Sequence, residues 1–382
     1  MAAEFYESEH RAFREVVRDF VAREVVPHQQ RWDEQRLIDR AVWVEAGKLG
    51  ILGLRTPEEY GGGGVGDYRF RAVVSEELAK VGSAALASGI AINEDIVSSY
   101  LIALGTDDQK KRWLPGMATG EVVASIAMSE PGTGSDLRGI TTSARRDGDH
   151  WVLNGAKTFI TNGASSDVVL VACRTGENEG RPRFSLILVP TDAPGFQRGQ
   201  KLRKLGLHAQ DTAELFFEDV RVPAANLVGV EGRGFHHLTD RLPLERLSIA
   251  WRGLAAAEAA IAWTLDYTRQ RSAFGTRIID FQNTRFRLAE LVTEVEVTRG
   301  YLETQVLRLN DGELDAVTAA KAKWWATELQ NRVVDACLQL HGGYGYMEEY
   351  PIARAYADAR VQTIVGGTTE IMKEIIGRSL AD

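Results

Sequence analysis

The amino-acid sequence predicts an α+β multidomain fold: an N-terminal α-helical domain, a middle β domain and a C-terminal helical bundle. Three observations carry this. Up to about residue 120 the apolar residues recur at helical spacing. From Glu121 the texture changes to short β-branched runs separated by Gly, Asp, Asn and Pro. Beyond about Gly234 long helical patterns return, one with a heptad stripe. The expected domains are 1–121, 122–230 and 231–382. A chain of 382 residues is too long for one simple core.

In the first domain, Phe13 to Val26 has helical spacing that Pro27 interrupts. Residues 69–104 are again helical, and Asp107 is the expected cap of a short helix ending near Pro115–Gly120. In the second, VVASIAM, TTSARR, HWVLNGAKTFI, DVVLVACR, FSLILVP and AELFFEDVRV follow one another without helices between them. This pattern implies a small antiparallel barrel or sandwich. In the third, Phe281, Leu288, Val295, Leu302 and Leu309 recur every seven residues, the spacing of a helix packed against long neighbours. Asn310-Asp311-Gly312 ends that helix, and His341-Gly342-Gly343 ends the next.

Composition narrows the function. A net charge of −8, with no basic stretch interleaved with aromatics, argues against nucleic acid as a partner. No apolar run approaches the ~20 residues that span a bilayer, and the charged N-terminus lacks a signal-peptide core. The expectation is a cytoplasmic protein, although an organellar chain stripped of its leader has the same composition. Cys173 and Cys337, without a partner thiol or metal-like spacing, read as reduced packing residues. No metal site is expected. The adjacent His236 and His237 point apart on a helix, and no H-E-x-x-H occurs.

Four motifs bear on chemistry, each with a plain alternative. YGGGGVGDY contains a formal G-x-G-x-x-G, but TPEEY before it is no strand, so a flexible connection is the better reading. MSEPGTGSD, residues 128–136, is either a turn between strands or a loop offering N–H and hydroxyl donors to an oxygen-rich ligand. RQRSAFG, residues 269–275, is either a basic linker or an anion site with Arg271 on a phosphate and Phe274 against a flat ring. In ERLSIAWRG, Glu245 shares a helical stripe with Leu238, Leu242, Ile249 and Ala256, behind Pro243. Desolvation there raises a carboxyl pKa and makes a better base, unless a neighbouring Arg pairs with it.

In order along the chain, MSEPGTGSD, NGAKTFITNG, GLHAQDTAELFFEDVRVP, LPLERL, RSAFGTRIIDFQ, LQLHGGYGYMEEYPIARAYADAR and GGTTEI resemble the acyl-CoA dehydrogenase family from end to end. The resemblance implies helices, a β barrel and a four-helix bundle, with non-covalent FAD. It implies that Met128, Ser129, Gly134, Ser135, Phe159 and Thr161 line the flavin, Phe159 standing where a tryptophan is common. Arg271, Phe274, Gln282, Gln339 and Gly343 would hold a neighbouring subunit's FAD, and Thr368 and Glu370 would lie near the cofactor. A homodimer or homotetramer (a dimer of dimers) follows, as does electron transfer to an electron-transferring flavoprotein in fatty acid β-oxidation.

The implied reaction is α,β-dehydrogenation of an acyl-CoA: a carboxylate removes the α proton while the β hydride moves to flavin N5. Many family members carry the base in the closing turn, at the position of Gly366. This chain has glycine there and instead resembles the long-chain-specific and isovaleryl-type subgroup, whose base maps to Glu245. Gly366 would then offer its backbone N–H to the thioester oxygen, and Ser135, Arg246 and Gly367 would border the substrate. Val365 stands where an aromatic residue is frequent, which leaves the acyl chain length open. A flavin oxidase on the same scaffold and a non-catalytic FAD- or CoA-binding subunit are the rival expectations.

Overall fold

The computed structural model describes residues 5–381, apart from the side chain of Asn178. Among them, seven α-helices open the chain: α1 (Ser8–Phe20), α2 (Gln29–Gln35), α3 (Arg40–Lys48), α4 (Arg69–Lys80), α5 (Ala84–Ala91), α6 (Ser99–Leu104) and α7 (Asp107–Thr119). Helix α1 runs on into a wider π turn, Val21–Val25, and passes Pro27 in a 3₁₀ turn, Val26–His28, whose start needs no proline N–H. A second π turn, Ile92–Ser98, joins α5 to α6.

One cap differs from expectation. Thr106, not Asp107, caps α7: its Oγ1 accepts from the Gln109 N–H at 3.3 Å, and Gln109 Oε1 accepts from the Thr106 N–H at 3.1 Å. This reciprocal pair satisfies two donors, which Asp107 inside the first turn cannot do. Pro115 is accommodated within the helix, which ends at Gly120 with φ 76°. The glycine run at Gly61 follows a 3₁₀ turn, Glu58–Tyr60, rather than a strand, so its G-x-G-x-x-G lacks the setting of a dinucleotide loop.

The middle segment supplies β1 (Ala124–Ala127), β2 (Ser143–Asp147), β3 (His150–Thr161), β4 (Val168–Asn178), β5 (Arg181–Pro190), β6 (Phe196–Lys201), β7 (Thr212–Pro223) and β8 (Leu227–Val228). They form one sheet in the order β6-β7-β3-β2-β4-β5-β8, with β1 also on β4. Most pairings are antiparallel, as expected. However, β1 runs parallel to β4 from Ala124↔Val168, and β2 meets β4 in parallel at Ser143↔Arg174. The residues between β1 and β4 provide the crossover that a parallel pair requires. Strand β4 alternates between two cores: Val169, Val171 and Cys173 face the interior shared with Trp151, Leu215 and Phe217, while Val168, Leu170 and Ala172 pack on α6 and α7. The sheet thus curls around its own core and rests its outer face on the N-terminal helices.

Helices α8 (Gly234–Gln270), α9 (Gln282–Asn310), α10 (Ala316–His341), α11 (Pro351–Ala359) and α12 (Thr369–Arg378) complete the chain, with a small hairpin of β9 (Ser272–Ala273) and β10 (Thr276–Arg277) after α8. Helices α8 to α11 share one apolar core. Of the heptad stripe, Leu288, Val295 and Leu302 are buried and Leu309 half-buried, whereas Phe281 precedes α9 as its cap. Tyr68 and Ala72, from the region of α4, enter the same core and lock the first helical layer to the bundle. Both cysteines are buried and unbridged. Among the described residues no helix is long and apolar enough to cross a membrane.

Candidate active site

Glu245 lies inside α8, two residues after Pro243, which the helix accommodates without ending. Leu238 and Ile249 on its stripe are buried, Leu242 and Ala256 half-buried. Glu245 is 3% exposed. Burial pushes its pKa up to about 7; a hydrogen bond from Tyr100 and the charge of Arg246 oppose this, and the charge of Asp95 adds to it. The Tyr100 hydroxyl donates to Glu245 Oε1 at 3.1 Å. The arginine partner that would make Glu245 a structural residue is missing: among the described residues it forms no ion pair. Arg246, the next residue, is also buried, and burial lowers its pKa against the raising effect of Glu245.

The closing turn packs on α8 one helical turn beyond Glu245. A Cβ built on Gly366 would lie 2.3 Å from Cδ1 of Ile249. Gly366 and Gly367 have φ of 65° and 103°, a region that favours glycine. Helix α10 grips the turn at two points. The buried Lys323 donates from Nζ to the Gly367 carbonyl at 2.7 Å, and Glu328 accepts from Thr369 Oγ1 at 2.6 Å. Burial and the charge of Arg246 bring the Lys323 pKa down to about 8. Thr368 caps α12 by accepting from the Ile371 N–H, and Glu370 is exposed in the first turn.

On the β side, MSEPGTGSD leaves β1 and is anchored by Glu130. This carboxylate accepts from the Thr141 and Thr142 N–H groups at 2.7 and 2.9 Å and from Lys157 Nζ at 2.9 Å. Burial opposes its charge, but the hydrogen bonds from Thr142, Thr141 and Lys157 prevail and bring its pKa down to about 2. Lys157 also donates to the Met128 carbonyl at 2.9 Å, and the Ser129 carbonyl accepts from the Thr158 N–H at 3.0 Å. These bonds draw Met128 and Ser129 beside Phe159. The β3–β7 ladder slips between Lys157 and Ile160, and Phe159 sits in that bulge with φ 61° and 69% exposure. A bulky residue held so costs roughly 1–3 kcal/mol, an expense concentrated at functional sites. Thr161 accepts from Gln210 Nε2 at 2.9 Å; Gly134 and Ser135 are exposed on the loop.

Arg271, Gln339 and Gly343 converge on an open pocket of ≈ 660 Å³ that Tyr267, His341 and Tyr344 also line. The Arg271 guanidinium stands 5.7 Å from the Tyr344 ring centre. Phe274 and Gln282 do not join that pocket. Phe274 is 98% exposed at the tip of the β9–β10 hairpin, and Gln282 is exposed at the start of α9.

Three residues of this region escape the sequence reading: Tyr100, Lys157 and Lys323. Nothing local marks Tyr100. Lys323 does carry a signal, because it falls on the buried face of α10 with Ala319, Ala326 and Leu329. A charge on an apolar stripe, the argument that singles out Glu245, applies to it equally.

Three family models cover nearly the whole chain: acyl-CoA dehydrogenase N-terminal domain over residues 7–121, middle domain over 125–220 and C-terminal domain over 232–381. A long-chain specific acyl-CoA dehydrogenase, mitochondrial, of Sus scrofa is 48% identical over 377 residues, 98% of this chain and 87% of that protein. The crystal structure of an acyl-CoA dehydrogenase from Geobacillus kaustophilus superposes with a TM-score of 0.96 at 46% identity, covering 99% of this chain and 100% of the other. A glutaryl-CoA dehydrogenase from Mycobacterium smegmatis, solved in complex with FADH2, gives 0.92 at 28% identity, over 98% and 95%. The chain belongs to the acyl-CoA dehydrogenase family.

Proposed function

We propose that the chain oxidises a fatty or branched acyl-CoA to the trans-2-enoyl-CoA, with Glu245 taking the α proton. One observation carries the proposal: a desolvated carboxylate with a pKa of about 7 lies one helical turn from the place where the Gly366–Gly367 turn packs on α8. A base whose pKa matches the working pH combines a useful ionised fraction with driving force for proton transfer. The Gly366 N–H is the donor aimed at the thioester oxygen, where negative charge gathers as the proton leaves. Lys323 holds that turn by the Gly367 carbonyl, and Arg246, Gly367 and Ser135 border the substrate.

The residues present fit FAD. The exposed Phe159 ring offers a flat apolar surface with Met128 and Ser129 held beside it, and Gly134, Ser135 and Thr161 would complete the flavin wall. A Cβ at Gly134 or Gly343 would meet nothing within 4 Å, so both backbones are open to a ligand. Arg271, Gln339 and Gly343 suit the dinucleotide end; Phe274 and Gln282 reach outward, as contacts to a neighbouring subunit's cofactor would. Thr368 and Glu370 complete the set beside α12. When bound, FAD supplies the acceptor for the β hydride. A homo-oligomer built as a dimer of dimers and re-oxidation by an electron-transferring flavoprotein complete the reading. The long-chain relative favours a long acyl chain.

The test is anaerobic mixing of the FAD-loaded protein with straight and branched acyl-CoAs of graded length while flavin absorbance is followed. Bleaching by long straight chains is expected. Unchanged flavin absorbance with every thioester would refute the proposal.

A further inference from the structure

We infer that Tyr100 is the positioning residue of the base: its hydroxyl fixes the Glu245 carboxylate by Oε1 and leaves Oε2 to take the proton. The inference rests on the reading of Glu245 as that base. Tyr100 lies in α6, directly behind the π turn Ile92–Ser98, and its side chain is 0% exposed. Its hydroxyl is the one hydrogen-bond donor to the Glu245 side chain among the described residues, at 3.1 Å. A carboxylate on a flexible stem inside an apolar wall needs such a donor, both to hold one rotamer and to keep its charge.

The donor itself is stable. Burial and the neighbouring Glu245 charge push the Tyr100 pKa well above 10, so the hydroxyl keeps its proton at any working pH. Arg246 follows Glu245 on α8, and Lys323 on α10 acts on Arg246. Asp95, on the π turn, is engaged by Arg71 at 3.0 Å and by Ser248 Oγ at 2.6 Å. Arg241 and Asp240, one turn before Glu245, act on Tyr100 with opposite signs. These groups act through space, and among the described residues only the tyrosine hydrogen-bonds the carboxylate.

Proton removal requires the carboxylate, so kcat/KM falls as pH drops through the pKa of Glu245. Deleting the hydroxyl removes a bond that favours the charged form, and the fall moves to higher pH. A hydrogen bond to a charged group is worth enough to shift it by roughly one to two pH units.

The experiment measures kcat/KM against pH for the FAD-loaded parent, Tyr100→Phe and Glu245→Gln. The parent should lose activity below about pH 7. Tyr100→Phe should show the same limb roughly one to two units higher, with its rate recovering at alkaline pH. Tyr100→Met, also without a donor, gives the same reading if the Phe variant loses its flavin. A limb that stays in place, or a loss equal at every pH, would overturn the inference. An active Glu245→Gln would overturn the base assignment with it. An inactive Glu245→Gln beside an unshifted Tyr100→Phe would overturn the inference alone.

Discussion

Replacing Glu245 by Gln should damage turnover and strengthen the fold, and both effects come from the same desolvation. Burial raises this carboxyl from 4.5 to about 7. A folded-state pKa above the unfolded one means that the native state prefers the protonated form. The native state therefore gains nothing from ionisation between those two values, whereas the unfolded chain does. The shift corresponds to about 3 kcal/mol of lost stability once pH exceeds the folded value. Gln has the same shape and no charge. At pH 8 the variant should thus be more stable than the parent by up to about 3 kcal/mol, and the advantage should shrink as pH falls and vanish below about 4.5. Thermal melts of FAD-loaded parent and variant at pH 8 and pH 5.5 measure it, with turnover assayed on the same samples. Turnover should fall at least about 10²-fold, the lower end for losing a general base. A melting difference that is identical at the two pH values would refute the claim that Glu245 is a desolvated carboxyl.

Moving the base tests the other side of the site. Gly366→Glu in the Glu245→Gln background should restore only a small part of turnover, because a φ of 65° strains any side chain there whatever the space; its Cβ also meets the end of the Ile249 side chain, Cδ1, at 2.3 Å, so adding Ile249→Ala should raise the flavin bleaching by acyl-CoA without making it complete. Lys323→Met leaves the Gly367 carbonyl without its donor, a loss of about 1–3 kcal/mol in chemical denaturation for a buried group. Its KM should stay near the parent value and its kcat should fall if the turn holds a transition-state donor. Lys157→Met removes the only cationic partner of the buried Glu130 among the described residues and leaves it the Thr141 and Thr142 donors. Breaking one side of a buried pair costs up to about 3–5 kcal/mol, and the remaining donors place this loss at or below the lower end; equilibrium dialysis should show weaker retention of FAD, since the Met128–Ser129 strap loses its anchor.

Several features were legible because they are local. The helix–strand–helix order follows from periodicity, and the positive-φ helix ends at Gly120, Gly312 and Gly342 follow from residue type. The placement of Glu245 on a buried stripe needs only a period of 3.6, and the structure finds it 3% exposed. The cap of α7 lies one residue before the expected Asp107 because Thr and Asp are both good caps, and the reciprocal bond from Gln109 decides between them. The parallel pairing of β1 with β4 was invisible, since strand direction depends on where the chain returns and not on the alternation of side chains.

By itself, the sequence determined the three-part architecture, the apolar setting of Glu245 and the acid-free turn at Gly366. Each rests on spacing or residue type within one segment. Tertiary packing alone decided that Tyr100 meets Glu245 across 145 residues, that Ile249 fills the space beside Gly366, and that Lys157 and Glu130 strap the loop against Phe159. Periodicity gives the face on which a side chain lies. The atom that it touches is set by how separate segments close on one another, and the environment of a buried charge is made there.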